Sequence, residues 1–188
     1  MHITQSSDLF RDGYLVTHSG RLIEIMNPKP EDFIIEDIAW HLNHHYRFGG
    51  AIEHNILQHS ISVAWMCPGP YKLQALVHDS PEFLLNDVAS PLKKLISGYS
   101  EIYELWEKAI FKQFDIEWPI SDIVKQNDMI MLEAEFEVLV RGKQHKRMYE
   151  IYRYHPDIAY VDFLSLFEQL QQEKKERELK SKTLWNGK

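Results

Sequence analysis

The sequence predicts an all-α protein, a helical bundle with a small N-terminal β-hairpin, and three observations predict it. Apolar residues recur at helical spacing through most of the chain beyond residue 30. Glycine, proline and a capping serine punctuate those stretches at helix-length intervals. Two short β-prone runs are confined to 13–26, "GYLVTHSGRLIEIM", on either side of His18-Ser19-Gly20.

Each element follows from its own residues. The hairpin over about 13–26 leads into "NPKPED", which reads as a turn. Ile34, Ile38 and Leu42 put an amphipathic helix at 35–46 that stops at Gly49-Gly50. Ile56, His59, Val63 and Met66 share one face of the next helix, which ends before "PGP" at 68–70. A third helix begins near Tyr71 and carries "ALVHD". Over 100–114, Ile102, Leu105, Trp106 and Ile110 form the buried stripe of a fourth. Ser121 N-caps a fifth, which runs to about Arg141 and ends at Gly142. The last covers about 158–180, with "EKKEREL" as a solvated end. At 188 residues and 22.3 kDa, without repeats, the expected organisation is one domain over 1–188 with its core at about 30–170.

Composition narrows the class. Hydrophobic residues are 44% and charged ones 26%, the balance of a soluble globule. No apolar run nears the roughly 20 residues of a membrane span. "MHITQSSDLF" lacks the basic start and apolar middle of a signal peptide, so a cytoplasmic protein without membrane partners is expected. A single cysteine, Cys67, excludes an internal disulfide and a multi-cysteine zinc site, and no motif around it suggests reactivity. Ten histidines leave histidine–carboxylate metal binding open. A net charge of −7 argues against a nucleic-acid polymer as partner, but not against a small phosphate compound.

Three ionisable groups interrupt the apolar faces of their helices. His59 lies with Ile56, Val63 and Met66; His78 with Ala75, Leu85 and, one turn on, Glu82; Asp128 with Val124, Met131 and Leu132. Asp79 follows His78 directly. A buried carboxylate without a counter-charge costs several kcal/mol, so Asp79 and Asp128 need partners. Two imidazoles and two carboxylates brought together would suit Zn²⁺, Mn²⁺, Fe²⁺, Co²⁺ or Mg²⁺, with water in the vacant positions. Spacing alone leaves the blander reading open, in which each inward histidine is a core residue bonded to backbone.

The segments "SGRLIEIMNPKPEDFIIEDIAWHL", "RFGG", "LQHS", "ALVHDSPEFLLNDVASPLK" and "VKQNDMIMLEAE", in that order, resemble the HD-domain phosphohydrolases over about residues 19–140. The similarity is greatest to the small branch that hydrolyses deoxynucleotides, which includes 5'-deoxynucleotidases and dATP triphosphohydrolases. The resemblance implies an HD-domain helical bundle with metal ligands at His59, His78, Asp79 and Asp128. It assigns Glu82 to the attacking water. Asp87 falls near the leaving oxygen or the sugar, although it could equally cap the helix around "SPLKK". Arg47 would grip the phosphate and Phe48 lie against the nucleoside, with Lys93 and Lys125 as further phosphate candidates. Gln58, Asn86, Asn127 and a shorter stretch between "RFGG" and His59 depart from the family pattern without removing a ligand.

On this reading the chain is a metal-dependent enzyme that converts a deoxynucleoside monophosphate to deoxynucleoside and phosphate by attack of a metal-activated water. Two alternatives stand beside it: a dNTP triphosphohydrolase releasing triphosphate, and a catalytically silent nucleotide-binding module. The resemblance also implies a homo-oligomer, a dimer or larger. Other features carry less. His41 and His45 sit at i, i+4 but lack a metalloprotease glutamate and read as surface or supporting histidines. His54 reads as a plain loop residue, and the basic, tyrosine-rich 141–155 as a solvated segment.

Overall fold

A short hairpin opens the described chain and is tied down by the first helix. Tyr14–Val16 (β1) pairs antiparallel with Leu22–Glu24 (β2), Leu15 opposite Ile23. Asp37, in the first turn of helix α1 (Ile35–His44), accepts the Ser19 backbone N–H at 2.8 Å and the Ser19 hydroxyl at 2.7 Å. The computed structural model describes residues 12–186. The N-terminal stretch read above as lacking a leader therefore lies outside the described residues.

Seven further α-helices follow among the described residues: α2 (Ile56–Met66), α3 (Lys72–Leu76), α4 (Glu82–Leu85), α5 (Ser90–Lys93), α6 (Tyr99–Gln113), α7 (Asp122–Glu135) and α8 (Pro156–Asn186). The protein is thus mostly helical with a two-stranded antiparallel sheet. No helix among the described residues is long and apolar enough to cross a membrane.

α2 is the central element, touching α1, α3, α7 and α8. Residues 56–64 are buried on every side, not along the one face that periodicity suggests. Its N-terminus is buried too, so its free N–H groups need internal acceptors. A reciprocal capping box supplies them: the Asn55 side chain accepts from Gln58 N–H at 2.9 Å, and Gln58 Oε1 accepts from Asn55 N–H at 2.7 Å. Ser62, further along, is matched inside the bundle. The Ser62 hydroxyl donates to the Gln58 carbonyl at 2.7 Å and accepts from Tyr152 N–H at 2.8 Å.

The third helix ends earlier than the sequence reading places it. α3 stops at Leu76, and His78 and Asp79 lie in a tight turn over 77–81. Pro81 has no N–H to give the Val77 carbonyl, which accepts instead from Ser80 N–H at 3.0 Å. A new helix, α4, then begins at Glu82. The fourth predicted helix also shifts its buried stripe. Trp106, Ala109 and Ile110 face inward, whereas Leu105 is 39% exposed. Ser121 caps α7 as expected, its hydroxyl accepting Val124 N–H at 3.4 Å. After Glu135 the helix widens into one π turn over 136–140 and ends at Gly142, whose φ of 65° is the left-handed conformation glycine adopts freely. The last helix begins at Pro156 and runs to Asn186.

Trp106 links the hairpin to the core beneath the site. It is 0% exposed, its ring sits 5.6 Å from Phe33 and 5.7 Å from Phe83, and its indole N–H donates to the Ile25 carbonyl at 2.9 Å. Trp106→Ala should lower the unfolding free energy by about 3–5 kcal/mol, read from the urea midpoint. Leu105→Ala, next to it but exposed, should cost less than about 1 kcal/mol.

Candidate metal centre and its cavity

Three elements bring the four predicted ligands together. α2 supplies His59, the turn after α3 supplies His78 and Asp79, and α7 supplies Asp128. His59 Nε2 lies 3.0 Å from Asp128 Oδ1 and 3.7 Å from Asp79 Oδ2. His78 Nε2 lies 3.2 Å from Asp79 Oδ2 and 3.7 Å from Asp128 Oδ1. Donor atoms of His59, His78 and Asp128 all fall within 4.8 Å of one another, so this group could hold a metal ion. Both imidazoles are buried, and Asp128 is partly open to solvent.

The donor set fits a divalent cation, because each ring's other nitrogen is engaged elsewhere. His78 Nδ1–H donates to the Ala75 carbonyl at 2.7 Å, and its Nε2 is buried without a hydrogen-bond partner. His59 Nδ1–H donates to Glu135 Oε1 at 2.9 Å. Both rings therefore turn Nε2 toward the two aspartates, as the oriented histidines of metal sites do. Protons compensate the same charges in the metal-free protein. Burial alone pushes His78 down, but Asp79 and Asp128 outweigh it and hold the ring well above its usual value. Burial and Arg47 oppose a charged His59, yet Glu135 and Asp128 raise it. Despite burial, His59 and His78 hold Asp128 well below the carboxylate range.

A cavity of about 390 Å³ adjoins this cluster. Arg47, Phe48, Glu82, Asp87 and Lys93 line it together with Asp79 and Asp128, whereas His59 and His78 lie outside its lining. Arg47 Nη1 is 3.6 Å from Asp79 Oδ2. Phe48 takes a φ of 54°, a left-handed conformation that a bulky residue adopts only when its surroundings enforce it. Its ring rests beside the Arg47 guanidinium at 5.7 Å and Phe136 at 5.9 Å. Asn86 also has a positive φ, 64°.

Glu82 opens α4 and is buried against Lys93, whose ammonium donates to Oε1 at 2.6 Å and stands 4.9 Å over the Tyr103 ring. Glu82 Oε2 is buried without a partner. Burial, and then the Asp79 charge, push the Glu82 carboxyl up to about 8 in spite of Lys93.

Several residues fall differently from their sequence reading. His54 is not a plain loop residue: it is 3% exposed, and its Nε2–H donates to Glu135 at 3.0 Å. Tyr152, within the segment read as solvated, is buried and its hydroxyl donates to Asp162 at 2.7 Å, while Tyr149 is 87% exposed. Asp87 does not cap α5, which starts after Ala89 without a side-chain cap. Lys125 pairs with Asp122 at 3.7 Å and lines a different cavity. His41 and His45 act as separate supports: His41 Nε2 accepts His18 N–H at 3.0 Å, and His45 Nδ1–H donates to the Glu82 carbonyl at 3.1 Å. Cys67 is buried, and burial pushes its thiol up.

The sequence reading missed Glu135 altogether. It is 0% exposed and receives His54, His59 and an ion pair from Arg47 Nε at 3.1 Å, too misaligned for a hydrogen bond. Its signal was present: Glu135 stands seven residues after Asp128, two helical turns along the same face.

Fold and site together define a mostly helical protein with a buried His/Asp cluster able to hold a divalent cation. The chain is 32% identical over 135 residues, 63% of its length and 69% of the relative's, to the "Uncharacterized protein RCAP_rcc00048" of Rhodobacter capsulatus, and it belongs to that protein's family. It is 27% identical over 174 residues, 86% of its length and 98% of the relative's, to the "Uncharacterized protein YfdR" of Escherichia coli. No family model matches the chain.

Glu82 should shape the pH dependence of stability. Its folded value of about 8 lies above the ordinary 4.5 of the unfolded chain, so the folded state binds its proton more tightly. The contribution is complete below pH 4.5 and is lost as pH rises toward about 8. Chemical denaturation of metal-free protein across that window should show a falling stability that Glu82→Gln flattens. An equal slope in both proteins would contradict this assignment.

Proposed function

We propose that the chain is an HD-domain, metal-dependent phosphohydrolase that cleaves the 5'-phosphate ester of deoxynucleotides, giving deoxynucleoside and phosphate. The observation that carries this reading is the meeting of two chemistries in one cavity. The cation-binding set His59, His78, Asp79 and Asp128 borders Arg47, Lys93 and Glu82, which suit a phosphate ester and the proton of an attacking water. The ordered motifs around these residues support the same reading.

His59 and His78 through Nε2, with Asp79 and Asp128, would hold the cation. When bound, it supplies Lewis-acid charge to the phosphoryl group and makes water a better nucleophile. Arg47 presents a planar fork of donors for the phosphate oxygens, and its buried carboxylate neighbours limit its motion. Phe48 offers a ring at the cavity wall for the nucleoside. Glu82 Oε2 is the acceptor for the proton that water loses as its oxygen bonds to phosphorus. The bond from phosphorus to the 5' oxygen breaks, and the departing oxygen takes a proton. Asp87, on the same wall, either donates it or holds a sugar hydroxyl.

Lys93 gives the triphosphate alternative a specific footing. It places a second cation in the cavity beside Arg47, which a longer phosphate chain would engage. Purified protein given dAMP or dATP with Mn²⁺, Co²⁺, Zn²⁺ or Mg²⁺ separates the readings. Phosphate and deoxyadenosine from dAMP is the expected result, and triphosphate from dATP would favour the alternative. Glu82→Gln should lower kcat by about 10²-fold or more while leaving Co²⁺ binding in place. Release of neither product under all four metals would remove the enzyme reading and leave a binding module.

A further inference from the structure

Glu135 is the buried ionisable group that the proposed chemistry does not use. Its carboxylate collects two hydrogen bonds and an ion pair from two neighbouring elements. Oε1 accepts both His59 Nδ1–H at 2.9 Å and His54 Nε2–H at 3.0 Å, and Oε2 pairs with Arg47 Nε at 3.1 Å. The loop between α1 and α2 is built for this meeting. Arg47 N–H donates to the His54 carbonyl at 2.8 Å, and Tyr46 bridges to Asn55, so the loop is clasped at its base with Arg47 and His54 side by side. A carboxylate this deep is costly unless paired, and these partners are its compensation.

From this geometry we propose that Glu135 is a positioning residue serving both halves of the site. Resting on the metal-dependent reading above, it assigns Glu135 the task of holding His59 with Nε2 toward the cation. The same carboxylate pairs with Arg47 at Nε, which leaves Nη1 beside Asp79 at the cavity. His54 is the outer support: it donates to the same Glu135 oxygen as His59 and borders a separate cavity with Gln58 and Arg153. Such supporting carboxylates are worth about 10–100-fold in metal affinity elsewhere.

The test is calorimetric titration of metal-free wild type, Glu135→Gln and His54→Gln with Co²⁺, followed by dAMP kinetics at saturating Co²⁺. Glu135→Gln should weaken Co²⁺ binding about tenfold or more, and at saturating metal its remaining defect should lie in KM, through Arg47. His54→Gln should weaken Co²⁺ binding in the same direction by less, which keeps the test open should Glu135→Gln fail to fold. Wild-type affinity in the folded variants would overturn the proposal and leave the metal site intact. A wild type that binds no Co²⁺ would overturn the metal reading and this proposal with it. Weakened Co²⁺ binding alongside a wild type that hydrolyses no nucleotide would support the His59 half and overturn the phosphohydrolase reading.

Discussion

His59 is clamped between two carboxylates, Asp128 on Nε2 at 3.0 Å and Glu135 on Nδ1 at 2.9 Å, and the rest of the structure is arranged around that clamp. Both acids come from α7, two turns apart, so α7 must lie against α2 with one face in register. α2 must then be buried along most of its length, which explains its internal capping box and the pairing of Ser62 within the bundle. Removing either partner from such a cluster would leave a buried charge uncompensated, a loss of about 3–5 kcal/mol in comparable cases.

The second constraint is the break at Pro81. Were α3 to continue, Glu82 would sit one turn along from His78 on the same face, and Asp79 would point about 100° away from both. Instead, the tight turn over 77–81 lets adjacent residues point into the same space, and α4 restarts with Glu82 in its first turn. His45, from the end of α1, donates to the Glu82 carbonyl and braces that restart. Lys93 then closes on the Glu82 side chain from α5. On the proposed function the segment divides its charges between cation binding and proton handling over only five residues, 78–82.

Much of this was legible in the sequence, and the limits have physical causes. Helix positions emerged because apolar periodicity and the stops at glycine and proline agree with the packing. His59, His78 and Asp128 stood out because each interrupts an apolar stripe. Glu135 has apolar neighbours at Met131, Leu132, Val138 and Leu139 too, but Glu133 and Glu137 flank it and make the end of α7 resemble solvated surface. His54 escaped notice because a loop has no period to show which way a side chain turns. Leu105 and Trp106 are neighbours that compete for one inward position, and packing against Phe33 and Phe83 decides for the larger ring. The all-round burial of α2 was hidden by its serines, which resemble surface residues until Gln58 and Tyr152 are seen to satisfy Ser62.

The central claim is that this frame of buried carboxylates prepares one cation site between α2, α7 and the 77–81 turn. An anomalous difference map from a crystal of the Co²⁺-loaded protein tests it most directly. The account predicts a peak bounded by His59 Nε2, His78 Nε2 and the Asp79 and Asp128 carboxylates, with Glu135 remaining on His59 Nδ1. A peak at another histidine pair such as His41 and His45, with nothing at His59 and His78, would contradict it.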